Sequence, residues 1–211
     1  MSVTGQFISF EGPDGAGKTS VLTAITDRLQ RAHNQRILIT REPGGNQIAE
    51  AIRQVILDPR NTEMDDRTEA LLYAASRRQN VKKTIQPAMA AGKVVICDRF
   101  VDSSVAYQGA GRQIGEQAVY DMNMFATNGL MPEKTLYFDV PSEVGLARIK
   151  AHRETVDRLD AETLAFHQRV RAAYLRLLAR FPERIIKIDA TQPLDQVIEE
   201  TLTTLNRIIR D

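Results

Sequence analysis

The chain is short of cysteine, histidine, net charge and long apolar runs, and each shortage excludes something. Cys97 is the only cysteine in 211 residues, so no internal disulfide forms and a reducing compartment suits the chain. It closes the apolar run Val94-Val95-Ile96 and reads as a buried strand residue rather than a redox group. Lysine and arginine number 28 against 27 acidic residues, a net charge of +1, which excludes the broad polyanion attraction of a strongly basic nucleic-acid binder. No apolar run approaches the roughly 20 residues of a membrane-spanning helix, and no charged segment followed by an apolar one opens the chain. The expected setting is the cytoplasm, without nucleic-acid or membrane partners. His33, His152 and His167 have no metal-ligand spacing, and surface or helix-face positions are expected for them. Internal repeats and low-complexity segments are missing too, so residues 1–211 read as one domain.

Against these absences stands one dense motif. Gly12-Pro13-Asp14-Gly15-Ala16-Gly17-Lys18-Thr19 is a complete G-x-x-x-x-G-K-[ST] loop between the apolar run Phe7-Ile8-Ser9-Phe10 and a helical pattern. In that order the loop turns its backbone N–H groups inward as a phosphate cradle. Lys18 reaches the β- and γ-phosphates, the Thr19 hydroxyl suits Mg²⁺, and the helix that follows offers its N-terminus to the same anion. A nucleoside triphosphate is therefore the expected ligand.

Short β-rich runs at Phe7–Glu11, Arg36–Thr40, Lys93–Asp98, Thr135–Val140 and Arg184–Asp189 alternate with segments of helical periodicity, such as Val21, Leu22, Ile25 and Leu29. The runs are continuously apolar, the pattern of strands covered on both faces. The expected fold is α/β: a five-stranded parallel sheet with helices on both sides, joined by right-handed crossovers. Pro141 and Pro193 suit first helical turns, which predicts helices over about 141–150 and 193–209. Pro87, inside the helical stretch 68–91, should kink or break it. Arg41-Glu42-Pro43-Gly44-Gly45-Asn46 is a loop at the carboxyl end of a strand, the sheet edge at which ligands bind.

Asp98-Arg99 ends the strand Val94–Cys97. An aspartate there is either a turn former or, beside a phosphate loop, a group that holds Mg²⁺ through water; Arg99 adds a fork of donors for phosphate oxygens. Arg41 and Arg53 flank the Pro-Gly-Gly loop, and Arg148, Arg153 and Arg158 cluster in a charged segment. That segment is a solvated face or an arginine-bearing lid at about 148–159. No general base can be picked out, and a phosphate acceptor needs none, because its oxygen is already anionic and catalysis rests on positioning and charge neutralisation. A switch GTPase is disfavoured, since no asparagine is followed by the lysine of a guanine-binding motif. A nucleotide-gated interaction module remains as an alternative, distinguished by slow ATP hydrolysis indifferent to added monophosphates.

Phe10-Glu11-Gly12 with the phosphate loop, Thr40-Arg41-Glu42-Pro43-Gly44-Gly45, Asp98-Arg99-Phe100 and Ser103-Ser104-Val105-Ala106-Tyr107-Gln108-Gly109 stand in this order. Together they resemble the bacterial thymidylate kinases, and the likeness continues through Tyr137-Phe138-Asp139-Val140 and Asp189-Ala190-Thr191-Gln192-Pro193. The resemblance implies a nucleoside-monophosphate-kinase fold with a short lid, a homodimer, a requirement for Mg²⁺, and transfer of the ATP γ-phosphoryl group to dTMP; a kinase for dUMP, UMP or CMP is the neighbouring alternative. It implies that ATP lies along Gly12 to Ser20, with Arg148 and Gln192 near adenine. Asp14 would meet the sugar 3′-hydroxyl. Arg41 and Arg99 would grip the acceptor phosphate, and Pro43, Arg53 and Ser103 would also belong to the dTMP site. Tyr73, where phenylalanine is usual, would stack on thymine, Arg77 would donate to its O4, Ser104 and Gln108 would reach its polar edge, and Tyr107 would pack under the deoxyribose. Lys18, Arg99, Asp14 and the lid residue Arg153 would be the catalytic set, with Thr19 and Asp98 at the metal. Apolar Ala70, Leu71 and Ala74 suit either the core or a dimer interface.

Overall fold

The computed structural model describes residues 5–34, 36–152, 159 and 162–209. Five parallel strands form one sheet: β1 (Gln6–Glu11), β2 (Ile37–Arg41), β3 (Val94–Asp98), β4 (Lys134–Asp139) and β5 (Ile185–Asp189), in the spatial order β2-β3-β1-β4-β5. Side chains alternate across a strand, and here the alternation separates two cores. Phe7, Val95, Cys97 and Tyr137 enter one; Ile8, Phe10, Val94, Ile96, Leu136 and Phe138 enter the other. Cys97 is accordingly a buried strand residue, as its sequence context predicts.

Two helices cover the second core: α1 (Lys18–Ala32), through Val21, Leu22, Ile25 and Leu29, and α9 (Leu194–Ile208), through Val197, Leu202 and Leu205. The first core is covered by the longer part of the chain. It includes α2 (Gln47–Leu57), α3 (Asp66–Asn80), α4 (Gln86–Ala90), α5 (Val101–Ser104), α6 (Glu116–Thr127) and α8 (Leu164–Arg180), while α7 (Ser142–His152) follows β4. Local chemistry starts two of these helices. Asn46 Oδ1 accepts Ala49 N–H at 3.2 Å at the start of α2, and Asp65 Oδ1 accepts the N–H groups of Arg67 and Thr68, both at 3.0 Å, at the start of α3.

Three expectations need correction. Pro87 does not break its helical stretch: α3 passes through a π-helical turn at Val81–Ile85 into α4, whose first turn holds the proline. The wider π spacing opens the turn that the proline ring would strike, so the chain stays helical. Pro141 and Pro193 sit one position before their helices, where their carbonyls accept Gly145 N–H at 3.0 Å and Gln196 N–H at 3.0 Å; a missing N–H is as harmless there as in the first turn. His33 and His167 lie on helix faces turned inward and are buried. His33 ends α1 with its Nε2 3.3 Å from Asn206 Oδ1 of α9, because those two helices pack together.

Of the expected lid, residues 148–152 and 159 are described, and Leu159 is buried. Arg153 and Arg158 lie outside the described residues. Ala70 and Ala74 are core residues, whereas Leu71 is exposed. Among the described residues no helix is long and apolar enough to cross a membrane.

Candidate active site

All five strands run the same way, so their carboxyl ends gather at one edge of the sheet, and the loops there enclose a cleft of about 970 Å³. The central strand β1 delivers the phosphate loop. Its turn needs glycine at Gly12, where φ is +143° and an added Cβ would stand 2.4 Å from the Phe138 carbonyl oxygen. Gly17 caps α1, whose first turn carries no acidic side chain, so the helix N-terminus meets the cleft unopposed. Lys18 is nearly buried; its Nζ donates to the carbonyls of Gly12 at 2.8 Å and Pro13 at 2.9 Å. Burial, with Arg99 nearby, pulls its pKa down to about 8, against the carboxylates of Asp98, Asp14 and Glu11.

Strand β3 lies directly beside β1, with Phe10 opposite Asp98, and this neighbourhood brings Asp98 to Thr19. Thr19 Oγ1 donates to Asp98 Oδ2 at 3.2 Å, while Oδ1 of the same carboxylate is buried with no hydrogen-bond partner among the described residues. An orphaned carboxylate oxygen beside a hydroxyl is a set of hard oxygen donors, which fits Mg²⁺. Arg99 follows in a left-handed backbone conformation, φ +67°, which costs energy in a residue with a side chain and persists only where the surroundings enforce it. Its Nη1 donates to Gly12 O at 3.0 Å and Ser103 Oγ at 3.2 Å, and its Nη2 pairs with Asp14 Oδ1 at 2.6 Å. Tyr107 donates to the other Asp14 oxygen at 2.7 Å and lies under the Arg99 guanidinium, 5.0 Å from ring centroid to Cζ.

The other predicted binding residues converge on the same cleft. Arg41, Pro43, Arg53, Tyr73, Arg77, Ser103, Ser104, Tyr107, Gln108, Arg148 and Gln192 all line it, as do Asp14 to Ser20 and Asp98. Gly12 and Pro13 contribute through carbonyls rather than as lining. Arg41 is exposed and paired with Glu50, Nη2 to both oxygens at 3.0 Å, while Arg53 Nη1 donates to Pro43 O at 2.9 Å. Arg148 Nη1 donates to Ala190 O at 2.9 Å beside the Thr191-Gln192 turn.

Arg77 is the surprise among them. It is fully buried and mostly committed to protein: Nε donates to Glu42 Oε2 at 2.6 Å, Nη1 to Ser104 Oγ at 2.9 Å and to Asn123 Oδ1, and Nη2 to Phe100 O at 2.8 Å. A guanidinium has five N–H groups, so one on Nη2 is left for the cleft. Gln108 is held likewise, its Nε2 donating to the buried Glu69 at 2.8 Å.

These buried supports were missed in the sequence. Glu11, Glu42, Glu69, Asn123 and Tyr174 are all buried and all bond residues of the cleft wall or the turn before it. Glu11 and Glu42 left a faint signal, a carboxylate at the end of an apolar strand; the others carry none without their partners. Burial, reinforced by Asp102, raises the Glu11 pKa to about 7 in spite of Ser103, Arg99 and the Phe100 N–H. Burial likewise raises Glu42 against its partner Arg77.

Residues 10–201 match a family model described as thymidylate kinase. The thymidylate kinase of Latilactobacillus sakei subsp. sakei is 65% identical over 204 residues, 96% of this chain and 95% of that protein. The thymidylate kinase of Pediococcus pentosaceus is 62% identical over 208 residues, 98% of this chain and 100% of that protein. A crystal structure of thymidylate kinase from Ehrlichia chaffeensis matches with a TM-score of 0.77 at 28% identity, covering 96% of this chain and 98% of that one.

Proposed function

The chain belongs to the thymidylate kinase family, and on that premise we propose how its residues divide the transfer of the ATP γ-phosphoryl group to dTMP, which yields dTDP and ADP. The observation that carries the assignment is a single bond: Arg99, the acceptor-side cation, donates to the carbonyl of Gly12, the first residue of the donor loop. Donor and acceptor grips are thereby parts of one rigid unit, and the two phosphates meet between them.

On the donor side the loop amides, the N-terminus of α1 and Lys18 take the β- and γ-phosphates, with Ser20 beside them and Arg148 and Gln192 flanking adenine. On the acceptor side Arg99, Arg41 and Arg53 neutralise the dTMP phosphate, Asp14 accepts from the sugar 3′-hydroxyl, and Tyr107 lies against the deoxyribose. Tyr73 stacks on the base. The remaining Arg77 N–H donates to thymine O4, where cytosine presents an amino group that this donor rejects. The acceptor oxygen is anionic, so no side chain has to remove a proton; the residues align it in line with the γ-phosphorus and hold off water. Arg153 adds a cation to the migrating group. Thr19 and, through water, Asp98 would hold Mg²⁺, which would supply charge neutralisation to the phosphoryl group in transfer.

We further propose one kinase domain over residues 1–211, a cytoplasmic location suited to the lone buried Cys97, and a homodimer. The exposed apolar side chains of Leu71 on α3 and Phe125 on α6, two helices that pack together, support the dimer.

ADP release measured with dTMP, dUMP, UMP, dCMP and AMP tests the reading. The highest kcat/KM is expected with dTMP; equal rates with no acceptor present would overturn it. Lys18→Ala is expected to lower kcat about 100-fold or more with little change in melting temperature, and unchanged turnover would remove the loop from the mechanism.

A further inference from the structure

Glu11 is the last residue of β1, one position before the phosphate loop, and its side chain is fully buried. It does not line the cleft. Both its oxygens are nevertheless turned to the Arg99 turn. Oε1 accepts the backbone N–H of Phe100 at 2.7 Å; Oε2 accepts Ser103 Oγ at 2.5 Å and the Tyr174 hydroxyl at 2.9 Å. Ser103 Oγ in turn accepts from Arg99 Nη1 at 3.2 Å.

The backbone of Arg99 explains why such a carboxylate is needed. With φ at +67° the residue is in a conformation that a long side chain leaves unless it is held. The hold comes from the end of β1, whose last two residues take both N–H groups of the turn: Arg99 N–H donates to Phe10 O at 2.9 Å and Phe100 N–H to Glu11. Packing alone asks for no carboxylate here, since a buried one is costly and its strand neighbours Phe7, Ile8 and Phe10 are apolar core residues.

We propose that Glu11 is a positioning residue of the reaction: it clamps the strained Arg99 turn and, through Ser103, aims the guanidinium at the junction of the two nucleotides. The role rests on the reading of Arg99 as the cation on the acceptor phosphate. Its consequence is selective. Loosening Glu11 disturbs dTMP binding and phosphoryl alignment, while the donor cradle, built from loop amides and Lys18, keeps ATP.

Steady-state kinetics on the full chain, varying ATP and dTMP separately, test this with two conservative variants that lie outside the cleft. Glu11→Gln keeps an acceptor for Phe100 N–H but removes the charge, and Tyr174→Phe removes one of the donors that orient the carboxylate. Glu11→Gln is expected to raise KM for dTMP about 5-fold and to lower kcat by a similar factor, with KM for ATP within about 2-fold of the parent. Tyr174→Phe should shift the same constants in the same direction by less. The double variant should cost little more than Glu11→Gln alone, because both act through one network. Arg99→Ala separates two kinds of failure. Unchanged KM for dTMP in Arg99→Ala overturns the reading of Arg99 and the role of Glu11 with it. A raised KM there, with Glu11→Gln unaffected, leaves Arg99 in place and overturns Glu11 alone. Equal rises in both KM values, or a lower melting temperature with unchanged KM, would make Glu11 a structural group only and also overturn the proposal.

Discussion

Two buried ionisable side chains flank the phosphate loop, and burial acts on them in opposite directions: it raises the Glu11 carboxyl to about 7 and lowers the Lys18 ammonium to about 8. Both shifts disfavour the charged form, and each leaves a mark on stability. For Glu11 the ordinary value is 4.5, so between pH 4.5 and about 7 the folded chain keeps a proton that the unfolded chain has released. Stability therefore falls as pH rises through that window, by an amount on the order of 3 kcal/mol, and the loss is complete above it. Among the charges facing Glu11, Asp102 deepens the effect and Arg99, Lys18 and Arg184 oppose it. Urea unfolding of Glu11→Gln at pH 5 and pH 7.5 should show a smaller loss than the parent; identical pH slopes would place the Glu11 titration elsewhere. For Lys18 the sign reverses, stability rising between about 8 and 10.5, a window well separated from the first. Legibility at this scale was uneven. Among residues that face the cleft, Arg99 was readable because a fork of donors beside a Gly-Lys-Thr loop suits phosphate oxygens, and Asp14 and Tyr107 were readable through the resemblance of their motifs. Glu69, Asn123 and Tyr174 were not, since a buried polar residue has meaning only through the partner it bonds.

Among the elements, α7 packs directly against the phosphate loop. Gly145, in its first turn, stands so near that an added Cβ would lie 2.5 Å from Asp14 O, and a Cβ on Gly15 would lie 2.1 Å from Gly145 O. Two opposed effects meet in Gly145→Ala: alanine favours a helix interior by about 1 kcal/mol, but the neighbour it strikes is backbone, which cannot rotate aside. The clash wins, because the loop has to move. Gly145→Ala is expected to raise KM for ATP several-fold and to lower the melting temperature by a few degrees; a stabilised variant with parental KM would show that helix propensity prevails. Several helices were visible, α1 and the 68–91 stretch as helical patterns and α7 and α9 from Pro141 and Pro193. The π-helical turns at Val81–Ile85 and Val105–Gly111 were not, because the spacing of apolar residues in segments of five and seven residues does not separate a π turn from an α turn.

Over the whole molecule, the order of strands makes the site. Placing β3 between β1 and β2 sets Asp98 against Phe10 on one side and Arg41 on the other, so Asp98, the phosphate loop, Arg41 and Arg99 share one edge. The same packing leaves Phe125 on α6 90% exposed and Leu71 on α3 58% exposed, an arrangement that a second copy would cover. Phe125→Asp is expected to give a monomer in analytical ultracentrifugation at micromolar concentration; an unchanged sedimentation coefficient would put the dimer contact elsewhere or exclude it. By itself the sequence determined the parallel α/β class and the phosphate loop, because strand burial and phosphate binding impose local patterns that neighbouring residues must satisfy. Only the tertiary structure decided which strands lie side by side, that Arg77 is committed mostly to protein, and that Glu11 grips the Arg99 turn. Those facts depend on contacts between residues up to 163 positions apart, and no local pattern in the chain encodes them.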